Sequence, residues 1–148
     1  MKLTKKVLRK LIHEQLLNEQ AFVRSHNDVE LEIAGTIVSA EIADCPHSRN
    51  HGLMYRTQLD PNCGMLFAYP DSAPRSFWME NTFIPLSIAF INEAGIILNV
   101  EDMIPLDRNS VSSTGDAVYA LEMVQGWFDE NHVGPGCDVT GLPGRSVI

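Results

Sequence analysis

The sequence is poor in cysteine and has no long uncharged apolar run. Its three cysteines, Cys45, Cys63 and Cys137, lie far apart and form no C-x-x-C pair. An odd number at this spacing argues against a disulfide framework and against a thioredoxin-like redox site. It favours reduced cysteines that contribute to packing, as in a cytoplasmic protein. Because no apolar stretch approaches the ~18 uncharged residues of a transmembrane helix, a membrane span is not predicted either.

Lysine is missing beyond residue 10, and the chain as a whole is acidic. The first 20 residues carry a net charge of +3 and the whole chain carries −8, so the rest carries −11. This asymmetry predicts a boundary near residue 20. An acidic body repels phosphate backbones, so nucleic acid is not expected as a partner. The hydrophobic fraction of 45% and the charged fraction of 20% are typical of a soluble globular chain.

Residues 1–20 predict a basic amphipathic helix, because apolar residues recur in them at helical spacing. Its two apolar rows are formed by Leu3, Val7 and Leu11 and by Leu8, Ile12 and Leu16. The helix could pack on its own domain, dock on a partner or a second copy through residues 3–16, or lie on a membrane surface. The last role is disfavoured, because no aromatic residue occupies the apolar face.

Three further expectations concern this N-terminal region. Charges recur at Arg9, Lys10, His13 and Glu14, so a signal peptide is not expected. The segment resembles the short basic helices that open many tailed-phage and marine viral proteins. Residues 21–28 are predicted to be a linker.

From residue 29 the pattern changes to β-strands. The alternation of Val29, Leu31 and Ile33 with glutamates predicts a half-buried strand. Runs that are apolar on both faces predict central strands at Gly64–Tyr69, Ser76–Met79 and Ser87–Ile91. The remaining predicted strands are Thr36–Ile42, Ile96–Met103, Ala117–Met123 and Asp138–Gly141. Short helices are predicted after an Asp44 cap and at Gln125–His132, so residues 29–148 should form one β-rich domain, a sandwich or barrel.

Five sequence motifs follow one another from residue 42 to about residue 141. They are Gly52–Arg56, Gly64–Phe67, Phe77–Thr82 with Ile84–Leu86, Met103–Pro105, and Leu121-Glu122 followed by Gly126. In order and spacing they resemble the family called domain of unknown function 192. The resemblance implies a compact, mainly β fold of jelly-roll-like sandwich type, with no established activity, cofactor or substrate.

Two features of that family differ from this chain. Many relatives are exported or membrane-anchored, which the N-terminus of this chain does not support. The family usually carries an aspartate after the Pro-Leu pair, where this chain has Ser87. An activity that needs this carboxylate would therefore be absent here.

The polar and aromatic members of the matched motifs suggest a ligand pocket. They are Arg56, Arg75, Trp78, Asn81 and Glu122. Arginine forks bind carboxylate or phosphate, an indole offers a stacking wall, and an amide fixes orientation. In the alternative reading, one of the arginines pairs with Glu122 and Trp78 belongs to the core, because a buried charge is costly unless paired.

Metal and cysteine chemistry are weaker possibilities. His47 and His51 would share one helix face beside Cys45, but the Glu of a metalloprotease motif is missing. We therefore predict surface histidines and no metal or cofactor. A nucleophile at Cys63 or Cys137 needs a base, and the only histidine after Cys63 is His132, while none follows Cys137.

Three function classes remain open. The favoured one is a non-catalytic binding or accessory module with a small-ligand pocket near Trp78. The second is a small hydrolase- or isomerase-like enzyme using carboxylates on the same wall, drawn from Glu101, Asp102, Asp107, Asp116 and Glu122. The third is a protein-interaction module that docks through the N-terminal helix.

Overall fold

The computed structural model describes Thr4, Lys5, Arg9 and residues 28–148. Apart from those three residues, the predicted helix of residues 1–20 lies outside the described part, as do residues 21–27 of the predicted linker. Both therefore stay predictions. No helix in the described part is long and apolar enough to cross a membrane.

Residues 28–148 form nine strands and two short helices. They are β1 Asp28–Ile33, β2 Thr36–Ala43, α1 Pro46–His51, β3 Cys63–Ala73, β4 Ser76–Phe77, β5 Leu86–Ile91, β6 Ile97–Met103, β7 Val111–Ser112, β8 Ala117–Val124, α2 Trp127–Glu130 and β9 Val139–Thr140. Seven strands make one sheet in the order β6-β5-β8-β3-β2-β1-β9, while β4 and β7 pair separately. Neighbours in the large sheet are antiparallel except β2 and β3, which are parallel.

The large sheet curls into a half-barrel whose two edges approach each other. Ile96, just before β6, forms an antiparallel bridge with Asp138, just before β9. Gly136 N–H donates to the Ile97 carbonyl at 2.8 Å, and Ile97 N–H donates to the Cys137 carbonyl at 3.0 Å. These contacts satisfy edge groups that would otherwise be open to another chain. The prediction of a mainly β fold is confirmed, and the jelly-roll-like topology stays a prediction.

Both faces of the large sheet are covered by apolar side chains. Successive residues of a strand point to opposite faces, so each central strand feeds two clusters. In β5, Ile88 and Phe90 belong to one cluster, while Ala89 and Ile91 belong to the other. All six residues of β5 are buried. This confirms the prediction that Ser87–Ile91 and Gly64–Tyr69 lie in central strands.

The prediction for Ser76–Met79 is wrong, because only Ser76 and Phe77 are in a strand. They pair with β7, a strand that the sequence did not predict. From Trp78 the chain leaves the ladder, since Met79 N–H donates to the Asp107 carbonyl at 2.8 Å. The segment Ser76–Met79 therefore lies outside the large sheet and does not form one of its central strands.

The start of α1 also differs from its prediction. Cys45 caps the helix instead of Asp44, and its N–H donates to the Ser48 hydroxyl at 3.1 Å. The helix ends at Gly52, whose φ of 51° favours glycine. Leu53 and Met54 therefore lie beyond the helix.

We predict that a chain beginning at Ser25 folds as the full-length chain does. β1 begins at Asp28 and pairs along its whole length with β2, and its last two residues, Glu32 and Ile33, also pair with β9. Circular dichroism should keep its β-rich spectrum, and the melting temperature should stay within about 4 °C, the shift that ~1 kcal/mol produces at this size. A chain that no longer melts cooperatively would show that residues 1–24 belong to the core.

Candidate functional site

A cavity of about 140 Å³ lies on the sheet face beneath α1. Its floor is formed by β3 and β8, one wall by residues 49–54, and the other by residues 76–78 and Thr82. We call it the Glu122 cavity; its lining includes the apolar residues Leu53, Met54, Phe67, Phe77 and Trp78 and the polar residues Arg49, His51, Tyr69, Ser76, Thr82 and Glu122. It is close in size to the ~150 Å³ engineered protein cavity that binds benzene.

The strand register places Glu122 in the floor. It stands on β8 opposite Met65 of β3 and Ile88 of β5, both of which are buried. Strand alternation puts Phe67 and Tyr69 of β3 on one face, and both line the cavity beside it. The residue types on either side of Glu122 are therefore apolar, and the carboxyl is desolvated by its own sheet.

The roof depends on a close approach of the chain to the Phe67 ring. A Cβ built on Gly52 would lie 3.4 Å from Phe67 Cζ. Gly52 has a positive φ of 51°, so another residue there would be strained even though its Cβ would make an ordinary contact with the ring. This glycine lets the segment after α1 turn over the cavity floor.

Glu122 is the most unusual group in the cavity. Its side chain is only 4% exposed and has no hydrogen-bond or ion-pair partner among the described residues. Burial raises the pKa of its carboxyl to about 8, so the group is mostly a neutral acid at pH 7. In that state it offers one O–H donor in addition to its acceptor oxygens.

Tyr69 lies between two guanidinium groups at the edge of the cavity. The Cζ atom of Arg75 is 3.7 Å from the ring centroid, and that of Arg49 is 4.9 Å away. Burial raises the pKa of the Tyr69 hydroxyl, although both arginines oppose this effect. Arg49 is also tied to the backbone, since its Nη1 donates to the carbonyls of Ala68 at 3.0 Å and Ile148 at 2.9 Å.

The structure brings two of the five predicted ligand-binding residues together. Trp78 and Glu122 line the same cavity, and Trp78 is 47% exposed instead of packed in the core. Asn81 lies outside the cavity and donates from Nδ2 to the Tyr55 hydroxyl at 3.0 Å. Tyr55 N–H in turn donates to the Asn81 carbonyl, so this pair fixes the wall behind Trp78.

The two predicted arginines also lie outside the cavity lining. Arg75 forms an ion pair with Asp71 at 2.8 Å and donates from Nε to the Ala117 carbonyl. Arg56 pairs with Glu41 in a second cavity of about 100 Å³. Neither arginine pairs with Glu122, in contrast to the alternative reading of the sequence. A ligand-binding role for the five residues stays a prediction.

Sequence reasoning did not select several residues that line the cavity. They are Arg49, His51, Tyr69 and Thr82 among the polar groups, and Phe67 among the apolar ones. The alternation of β3 could have indicated Tyr69, because it has the same parity as Phe67 in a matched motif. Arg49 and His51 carry no such signal, since their position depends on how α1 crosses the sheet.

The other constellations considered from the sequence do not meet in this cavity. The Ser87 hydroxyl donates to Asp102 at 2.8 Å, and Asp107 accepts from Asn109 N–H at 2.9 Å. Glu122 is the single carboxylate among the described residues that line the cavity. The His47 and His51 rings are stacked with centroids 6.4 Å apart. Within residues 28–148, no group of three or more His, Cys, Asp and Glu could hold a metal ion.

Two solved structures resemble this chain in sequence and fold. One is a protein from Sinorhizobium meliloti 1021, proposed to be a transcription regulator. It has 34% identity and a TM-score of 0.72 over 77% of this chain and 92% of the other. The second is a protein of unknown function from Novosphingobium aromaticivorans DSM 12444, with 30% identity and a TM-score of 0.70 over 76% and 84%.

The family comparison covers nearly all of the β-rich part. No curated protein matches the chain. The profile of the family called domain of unknown function 192, described as "Uncharacterized ACR", matches residues 29–141. The chain therefore belongs to this family, which has no established function.

Proposed function

We propose that the protein is a non-catalytic binding or accessory module that holds a small ligand in the Glu122 cavity. The observation that carries this proposal is the buried carboxyl of Glu122, which has no partner among the described residues. Roughly 90% or more of buried polar groups in proteins are hydrogen-bonded. The Glu122 oxygens are not among the fully enclosed unpartnered atoms of the described residues, so they reach the cavity, where a ligand would supply a partner that the protein does not.

The walls support a ligand with a flat or apolar body. Trp78 presents a half-exposed indole, and the Phe67 and Phe77 rings meet edge to face with centroids 4.8 Å apart. Apolar walls with a few convergent polar groups are the usual composition of small-molecule sites. A cavity of about 140 Å³ suits a molecule of roughly benzene's size with one polar group.

Binding is favoured over the carboxylate-enzyme alternative. Acid–base catalysis by paired carboxylates needs two such groups within reach of the substrate. Glu122 has no second carboxylate beside it in the described lining. A cytoplasmic location is part of the proposal, and it is supported by the odd number and wide spacing of Cys45, Cys63 and Cys137, which argue against a disulfide framework.

The Sinorhizobium meliloti relative adds one suggestion about the process. A small-ligand module could serve transcription regulation by sensing a metabolite. Direct contact of the β-rich domain with DNA is not part of the proposal, because the chain beyond residue 20 carries −11.

Protein interaction through residues 3–16 is the second candidate function. An exposed apolar patch favours it, formed by Tyr55, Phe83, Ile104 and Leu106. The Tyr55 and Phe83 rings lie 6.3 Å apart, and a hydrogen bond from Leu106 N–H to the Thr82 carbonyl holds the loop of Ile104 and Leu106 next to the segment that carries Phe83. Contiguous apolar patches on a surface mark interaction sites.

The first prediction from this site concerns stability against pH. The pKa of Glu122 is about 8 in the folded chain against an ordinary 4.5, so the folded chain holds the extra proton between these values. Stability therefore falls as pH rises from about 4.5 to about 8, by at most ~1.4 kcal/mol per pH unit, and then levels off. Glu122→Gln removes this loss, because the amide does not ionise.

Urea denaturation at pH 5, 6.5 and 8 measures the effect. Glu122→Gln and wild type should be about equally stable at pH 5, and the variant should be the more stable at pH 8. Glu32→Gln, which removes an exposed carboxylate on β1, is the matched control and should follow wild type at every pH. Parallel curves for Glu122→Gln and wild type would contradict a buried, proton-holding Glu122.

The second prediction concerns Trp78 as the stacking wall. Three probes of equal shape, benzamidine, benzamide and benzoate, are titrated into the full-length chain, and calorimetry and the Trp78 indole N–H resonance report binding. At least one probe should bind. Trp78→Ala should weaken it by about tenfold or more, as expected for an aromatic contact with its buried area. Because Trp78 is half-exposed, the substitution should lower the free energy of unfolding by less than the ~3–5 kcal/mol lost when a core site is emptied.

Phe83→Ala is the matched control for this experiment. Phe83 is 48% exposed against 47% for Trp78, and it lines neither described cavity. The Phe83→Ala variant should bind the probe as tightly as wild type does, and it should lose about as much stability as Trp78→Ala. An equal loss of binding in both variants would remove Trp78 from the site.

The third prediction concerns residues 3–16 and self-association. If their apolar rows need a cover, Leu8→Glu with Ile12→Glu should reduce the sedimentation coefficient of the assembled chain. Lys5→Gln with Lys6→Gln, the matched control, should change mainly the salt dependence, since charge effects are screened beyond ~10 Å at 0.1 M salt. An unchanged size distribution for the glutamate variant, with binding of wild type to anionic vesicles, would favour a membrane-surface role.

A further inference from the structure

We infer that the ligand of the Glu122 cavity is a small organic cation, such as an amidinium or ammonium ion. This inference rests on the proposed function, namely that the cavity binds a ligand. The new element is the charge of the ligand. It follows from the partners of the arginines and from the aromatic rings that line the cavity.

Each arginine near the cavity has acceptors other than Glu122. Arg75 pairs with Asp71, and Arg56 pairs with Glu41. Arg49, which lines the cavity, is held by the carbonyls of Ala68 and Ile148. A buried carboxylate is stable only when a cation pairs with it. The chain leaves that place beside Glu122 open to a cation from outside.

The groups that face Glu122 from the packed elements do not compete for this place. β3 and β5 present Met65 and Ile88 at the paired positions. The titratable residues in the lining are Arg49 and His51 from α1 and Tyr69 from β3. None of these three forms a hydrogen bond or ion pair with the Glu122 carboxyl.

Aromatic rings on two sides of the floor favour a positive charge. Phe67, Phe77 and Trp78 line the cavity around the carboxyl. A cation within about 6 Å of such a ring centroid is attracted by the negative face of the ring. The chain beyond residue 20 carries −11, and its negative field raises the local concentration of cations.

Binding of a cation must be coupled to loss of a proton. At pH 7 the pKa of about 8 keeps most of the Glu122 carboxyl protonated. The cation pairs with the carboxylate, and the carboxyl proton passes to the buffer. Close to one proton should therefore leave for each cation bound. Below pH 7, the affinity should increase about tenfold for each unit by which the pH is raised.

The test compares benzamidine, benzamide and benzoate by calorimetry on the full-length chain at pH 6, 7 and 8. Two buffers with different heats of ionisation report the protons released. Benzamidine should bind most tightly and release close to one proton at pH 7. Glu122→Gln should weaken it by about 30-fold or more, as expected when one member of a buried charge pair is removed. Glu32→Gln, the charge-matched control, should leave binding unchanged.

The outcomes separate this inference from the proposed function. If benzamide or benzoate binds most tightly, or benzamidine binds without proton release, the cation is wrong and the ligand cavity stands. If none of the three probes binds and the Trp78 indole resonance does not move, the proposed function falls with it. Nα-acetyl-argininamide is a fourth probe: tighter binding than benzamidine, with the same proton release, would identify an arginine side chain as the source of the cation.

Discussion

The candidate site depends above all on the burial of one carboxyl, that of Glu122, on the central strand β8. β8 lies between β3 and β5, so every residue of its inner segment is covered on both sides by neighbouring strands. Glu122 occupies one of these positions, opposite Met65 and Ile88. Its desolvation favours the neutral acid and raises the pKa to about 8. A position that apolar side chains could fill thus carries a group that needs either a proton or a cation.

The surrounding packing keeps the carboxyl in this place. A Cβ on Gly64 would lie 2.3 Å from the Glu122 carbonyl oxygen, so only glycine lets β3 approach β8 so closely at this point. Gly52 serves the roof above Phe67 differently, through its positive φ, which turns the chain after α1. The wall that carries Trp78 is tied to the loop after β6 by the hydrogen bond from Met79 N–H to the Asp107 carbonyl. Floor, roof and wall therefore come from separate parts of the chain and meet at Glu122.

The strands that could be predicted from the sequence were those whose pattern of apolar residues alone determines that they are buried. Ser87–Ile91 is apolar at nearly every position, and such a run is stable only inside a sheet. Ser76–Met79 has a similar local pattern, yet Trp78 and Met79 leave the ladder because the backbone partner of Met79 is Asp107, far along the chain. The parallel pairing of β2 with β3 likewise depends on the crossover through α1, which no local pattern encodes.

The candidate site could be predicted in part for the same reason. Trp78 and Glu122 share a cavity as the motifs suggested, but Arg56 and Arg75 have partners that the residue types alone could not decide between. The central claim is that the Glu122 carboxyl holds its proton at neutral pH. Carbon NMR of the full-length chain labelled at glutamate Cδ measures this directly, with Glu122→Gln assigning the signal. The account predicts a midpoint of about 8, and a midpoint near the ordinary 4.5 would contradict it.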